Sequence, residues 1–216
     1  MKPEVLETLE RQIEPEHTAL LVIDPQNDFL ATDGAVVRLM GFDPARVQAA
    51  VPPLNQLIEK ARDRGISIVW TQSFIDPARA KPNYQARGFL QDARKRNIAP
   101  VLEGTEGSEW YSGMVKPLAD EVVIRKYHYD AFSDTNLDLL LRSTGIKTIL
   151  LTGFMANVCV ETAARHGYIM GYYVVVVSDC TEAATRAEYE STLYNVGTYF
   201  GKTATSEEIF SLWEKG

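Results

Sequence analysis

Residues 149–168, ILLTGFMANVCVETAARHGY, decide how the rest of the chain reads. Ile149, Leu150 and Leu151 form a short apolar run of the kind that makes a buried strand, and Gly153 interrupts it. Beyond the glycine the period changes, with Val160, Ala163, Ala164 and Tyr168 recurring at helical spacing. The segment is a strand, a turn and a helix, with Cys159 in the first turn of the helix. Unpaired N–H groups and the positive end of the macrodipole favour an anion there, which predicts a lowered thiol pKa and a usable thiolate. The competing reading is a buried structural cysteine, the commoner fate of a free thiol.

The same pattern recurs on either side. Ala19–Ile23 (ALLVI) reads as a strand ending on Asp24, and Pro44–Arg64 carries a helical apolar stripe that Pro52 and Pro53 should kink or break. Ile66–Trp70 is a second strand, Glu121–Arg125 a third running into Lys126, and Thr135–Ser143 a helix. Lys147–Leu151 is the fourth strand, Tyr172–Val177 the fifth, and Lys202–Ala204 a short sixth; helices follow over about 186–197 and at the end of the chain. Strands alternating with helices predict parallel pairing, hence an α/β, three-layer α-β-α sandwich, Rossmann-like, with a mostly parallel six-stranded sheet. Residues 1–16 read as a polar lead-in with a short surface helix, and 17–216 as one domain. The stretch from Thr71 to about Gly113 has no sustained period, and its length predicts an active-site lid or binding loop.

Composition narrows the class. A chain of 216 residues, 45% hydrophobic and 24% charged, fits one globular domain, and a net charge of −7 argues against nucleic acid or an anionic membrane as partner. The first residues are too charged for a signal peptide, and no apolar run approaches ~20 residues, so a cytoplasmic protein is expected. Cys159 and Cys180 are then expected as free thiols, with Cys180 structural, and no Cys/His spacing suggests structural zinc.

In a parallel sheet, ligands bind beyond the carboxyl ends of the strands. Asp24, Lys126 and Cys159 each stand just past that end of a different strand. A thiolate can attack a carbonyl carbon if a nearby group takes the thiol proton and later hands it to the leaving amine. Asp24 can do both, and Lys126 can hold positive charge beside the sulfur and the carboxylate. Taken singly, Asp24 reads as a turn or cap residue and Lys126 as a solvated strand end. Together on one edge they read as a catalytic set.

DPQNDF (Asp24–Phe29), Lys126 and TGFMANVCVETAARHGY together closely resemble the isochorismatase-like cysteine hydrolases, nearest to the ureidoacrylate- and biuret-type amidohydrolases. The resemblance covers about residues 17–203. It implies Cys159 as nucleophile, Asp24 as general acid and base, and Lys126 as their cationic partner. It also implies a cis peptide between Phe154 and Met155 that turns the Met155 and Cys159 N–H groups into an oxyanion hole, and assembly as a homodimer or homotetramer. The implied activity is cofactor-independent hydrolysis of a C–N bond in a small linear amide or ureide, through a cysteine acyl-enzyme, with release of ammonia or a carbamate. Alternatives are isochorismatase-type vinyl-ether hydrolysis, a nicotinamidase-like amidase, and an inactive interaction protein with the same fold. Nicotinamidases usually carry a D-x-H metal pair after the second strand; here TQSFIDPARAKPNY has Asp76 but no histidine, so neither metal nor cofactor is expected. His166 reads as a packed or surface residue.

Phe29, Phe74, Tyr129 and Phe154 are candidate pocket walls, with simple packing the alternative for Tyr129. Gln72 and Asn157 could anchor an amide or urea group, and Asn157 reads equally well as a helix N-cap. Arg79, Lys81, Arg87, Arg94, Lys95 and Arg96 in the long loop offer cations for a substrate carboxylate, against the commoner reading of a solvated charged face.

Overall fold

The computed structural model describes residues 4–76, 78–79 and 81–215. Its six strands are β1 (Thr18–Ile23), β2 (Ser67–Ser73), β3 (Val122–Lys126), β4 (Thr148–Phe154), β5 (Tyr173–Glu182) and β6 (Lys202–Ala204). They form one sheet in the order β3-β2-β1-β4-β5-β6, and every neighbouring pair is parallel. The chain winds outward from β1 to β3, then returns to the other side of β1 with β4. The winding reverses between β1 and β4, which is where an open α/β sheet leaves a crevice for a ligand.

Side-chain alternation sends each strand into two cores. Leu20 and Val22 of β1 join Ile68, Trp70, Leu150 and Val175 on one face, under the helices Val51–Asp63 and Ser206–Trp213. Ala19, Leu21 and Ile23 join Val69, Ile124, Ile149, Leu151 and Val174 on the other, under Leu137–Ser143 and Glu161–Ile169. All six β1 residues are buried, which is why the strand reads as an unbroken apolar run.

Several details differ from the sequence expectation. The 44–64 stripe is two helices, Pro44–Gln48 and Val51–Asp63, with Pro52 and Pro53 in the first turn of the second, where a missing N–H costs nothing. β5 runs on to Glu182, so Cys180 lies within a strand and not after one. The long region after β2 holds two helices, Pro82–Gln85 and Gly88–Lys95; its Pro77 and Ala80 lie outside the described residues. The N-terminal segment, whose first three residues also lie outside the description, is more than a surface helix. Leu6, Gln12 and Ile13 are buried, the Leu6 N–H donates to Tyr173 Oη (2.8 Å), and Trp213 Nε1 donates to the Ile13 carbonyl (3.0 Å). No described helix is long and apolar enough to cross a membrane.

Gly153 lets β1 and β4 meet closely where both leave the sheet. Its φ is +96°, and a Cβ at this position would collide with the Ile23 carbonyl oxygen. Gly153→Ala is expected to lower unfolding free energy by about 3 kcal/mol in chemical denaturation. A loss under about 0.5 kcal/mol, the range of an ordinary surface change, would contradict this packing.

Candidate active site

Asp24 leaves β1 at φ 50°, a left-handed conformation that Asp accepts more readily than most residues. Its backbone N–H donates to the Thr71 carbonyl (3.2 Å), and its Oδ1 accepts from Thr71 Oγ1 (2.6 Å). Lys126 ends β3, two strands away, and its long side chain crosses the end of β2 to bring Nζ within 2.6 Å of Asp24 Oδ2. Both side chains are fully buried. Oδ2 is engaged by this ammonium and, as a carboxylate oxygen, keeps a further lone pair that can take a proton. Nζ donates to the carbonyls of His128 (3.1 Å) and Tyr129 (3.2 Å) and lies 3.5 Å from Cys159 Sγ. The three residues from separate strand ends are thus one cluster.

Cys159 departs from the expectation in two ways. Residues Ala156–Val160 form a π-turn that runs directly into the α-helix Glu161–Ile169, and single π-turns of this kind occur often at functional sites. The thiol pKa is raised, not lowered. Burial pushes it up to about 12; Lys126 pulls it down, and the Asp24 carboxylate adds to the rise. A helix start lowers a thiol pKa only where the thiolate is also solvated or paired, and here desolvation dominates. Burial also works against the Lys126 ammonium, but Asp24 and Cys159 outweigh it and raise that pKa. The cluster rests as a neutral thiol beside a buried ion pair.

A cavity of about 140 Å³ opens onto Cys159. Phe29, Val36, Ile75, Phe89 and Val158 give it apolar walls, while Ser73, Tyr84, Arg87 and Tyr129 bring polar groups. The larger concavity of about 780 Å³, bounded by Glu10, Lys60, Asp63 and Trp213, includes no member of the cluster. The Phe154–Met155 peptide is cis, and Met155 and Cys159 both line the smaller cavity.

Of the pocket residues expected from sequence, Phe29 and Tyr129 line the cavity, and the other four do not. Gln72 Nε2 instead donates to the Ser108 carbonyl (2.9 Å). Phe74 is buried under the Arg125 guanidinium, 4.5 Å from its ring, and Phe154 is fully buried in the core beside β1. Asn157 sits half-buried within the π-turn, which Met155 precedes with no side-chain cap, so the N-cap reading is also corrected.

Sequence reasoning missed the supporting residues of DPQNDF. Buried Gln26 donates to the carbonyls of Ser73 (3.0 Å) and Ser108 (2.8 Å) and accepts from the Ser73 N–H (2.8 Å). Asp28 accepts from the N–H groups of Ala35 (2.8 Å) and Val101 (2.5 Å). These side chains tie the exit of β1 to β2 and to the long loop. The density of polar residues directly after a buried strand was the available signal. His166 Nδ1 lies 2.5 Å from Asp130 Oδ2 and packs on Phe132, away from the cluster's contacts. Among the described residues no three His, Cys, Asp or Glu side chains group as metal ligands.

Comparison with known proteins identifies relatives of this chain. Residues 18–208 match the Isochorismatase domain family. The chain is 34% identical over 203 residues to a ureidoacrylate amidohydrolase of Enterobacter sp. (strain 638), covering 88% of this chain and 86% of that one. A cysteine hydrolase from Pseudomonas syringae pv. phaseolicola 1448A superposes with a TM-score of 0.82 at 23% identity, covering 100% of this chain and 99% of that one, a likeness of fold. N-carbamoylsarcosine amidase from Thermoplasma acidophilum superposes with a TM-score of 0.70 at 25% identity, covering 88% and 96%. The sequence match extends over nearly the whole sheet and its covering helices, and the chain belongs to the isochorismatase family.

Proposed function

We propose that this protein is a cysteine amidohydrolase that cleaves a C–N bond of a small linear amide or ureide through a covalent acyl-enzyme. The observation that carries this reading is the position of Lys126 Nζ, 2.6 Å from Asp24 Oδ2 and 3.5 Å from the Sγ of Cys159, which lines a largely apolar cavity. Kinship with a ureidoacrylate amidohydrolase and an N-carbamoylsarcosine amidase supports the bond type.

In this mechanism the Asp24 carboxylate takes the Cys159 proton as the sulfur attacks the substrate carbonyl carbon. Lys126 holds its charge beside both groups, offsetting the thiolate as it forms. The N–H groups of Met155 and Cys159 receive the developing oxyanion, each worth about 3 kcal/mol at the tetrahedral intermediate. Protonated Asp24 then gives its proton to the departing nitrogen, leaving a thioester or thiocarbamate on Cys159. Water, deprotonated by Asp24, attacks that acyl group, and the thiolate leaves and regains the proton. No step consumes an outside reductant or cofactor.

Assays of ureides and primary amides beside isochorismate should show turnover of the former. Cys159→Ser and Asp24→Asn should each lower kcat by about a thousandfold or more. Retention of most activity by Cys159→Ser, or turnover of isochorismate alone, would overturn the reading.

The charges around the thiol give a second expectation in which two inactive variants move oppositely. Asp24 raises the Cys159 pKa and Lys126 lowers it. Alkylation by iodoacetamide should therefore begin at lower pH in Asp24→Asn and at higher pH in Lys126→Met than in the wild type. Equal shifts in the same direction would contradict the charge arrangement.

A further inference from the structure

We propose that Arg87 anchors a carboxylate on the substrate, so that the cavity selects small anionic amides or ureides over neutral ones. The inference rests on the reading of Cys159 as the nucleophile facing this cavity. Among the six cations of the long loop, Arg79, Lys81 and Arg96 pair with Asp76, Asp134 and Asp92, and Arg94 donates to the Gln85 carbonyl. Arg87 differs from all of these. Among the described residues it is the single charged one lining the cavity that holds Cys159, and no described carboxylate lines that cavity with it.

Its guanidinium is held in place. The Cζ lies 3.7 Å from the Tyr84 ring centroid and 4.5 Å from that of Tyr129, two rings that themselves meet edge-on at 5.5 Å. Nε donates to the Tyr84 carbonyl (3.2 Å). Nη2 is buried and has no hydrogen-bond partner among the described residues. A desolvated guanidinium N–H without an acceptor is unfavourable in the free protein and becomes favourable when an anion fills the cavity. The planar fork suits a carboxylate, which accepts two parallel N–H bonds. With the scissile carbonyl at Cys159 and the anion at Arg87, one end of the substrate is fixed while the other reacts.

The test compares kcat/KM for 3-ureidopropionate and 3-ureidopropionamide, in which a neutral amide of nearly the same size replaces the carboxylate, with the product from the ureido end followed. The wild type should favour the acid by about 30-fold or more, the range of a charged hydrogen bond. The ratio should fall to near one in Arg87→Gln, through KM, and Arg87→Lys should keep an intermediate ratio, since it retains the charge without the fork. A wild-type ratio near one, or a ratio unchanged by Arg87→Gln, would overturn the proposal. A second readout needs no turnover: butyrate should slow iodoacetamide alkylation of wild-type Cys159 more than butyramide does, and equal protection would count against Arg87. Alkylation without an added ligand reports on the nucleophile separately, so a failure of Arg87 is distinguishable from a failure of Cys159.

Discussion

The ion pair between Asp24 and Lys126 is the constraint on which the rest of the site depends. Two opposite charges with no solvent exposure are tolerable only if they meet each other and their remaining hydrogen-bonding capacity is met as well. Thr71 supplies a hydroxyl to one carboxylate oxygen, and the backbone turns after β3 to bring the His128 and Tyr129 carbonyls to the ammonium. The pairing requires β1 and β3 to end at the same edge, with β2 between them short enough for a lysine to cross. Parallel strands in the order β3-β2-β1-β4 meet that requirement and put the chain after β4, with its sulfur, against the same ammonium.

A consequence is that the thiol waits in its neutral form. Burial holds its pKa near 12, far above a free cysteine, and the nearest cation is already engaged by the carboxylate. In the proposed mechanism the nucleophile is made inside the cluster, by moving one proton from sulfur to Asp24 Oδ2, the carboxylate oxygen that faces Lys126. Such a transfer separates no new charge from solvent, since the net charge of the three groups is the same before and after it. In that mechanism the apolar cavity walls keep the acyl group and the nascent thiolate away from bulk water.

How much of this the sequence disclosed depended on how local each property is. The inner strands β1 and β4 were legible because burial on both faces makes them continuous apolar runs, and the edge strand β3 from its run of Val122, Val123 and Ile124; the strand ends placed Asp24, Lys126 and Cys159 on one edge. The helix Gly88–Lys95 was not legible, because eight residues interrupted by polar and charged side chains hold too little period. The direction of the Cys159 pKa was misread since helix-start geometry is local while desolvation depends on what packs over the thiol. Gln72 and Phe154 looked like pocket residues from their places after strands, yet one is tied to Ser108 and the other lies inside the core. Conversely, Arg87 could not be distinguished from its five charged neighbours until Tyr84 and Tyr129 fixed which cation turned inward.

The central claim is that the acyl group of the substrate passes through the sulfur of Cys159. Rapid-quench mass spectrometry during turnover of a ureide or amide substrate, followed by peptide mapping, tests it most directly. The account predicts an adduct with the mass of the substrate acyl group on the peptide that carries Cys159, disappearing as substrate is exhausted. Sustained turnover with no such adduct at any quench time, or an adduct on Cys180 instead, would contradict it.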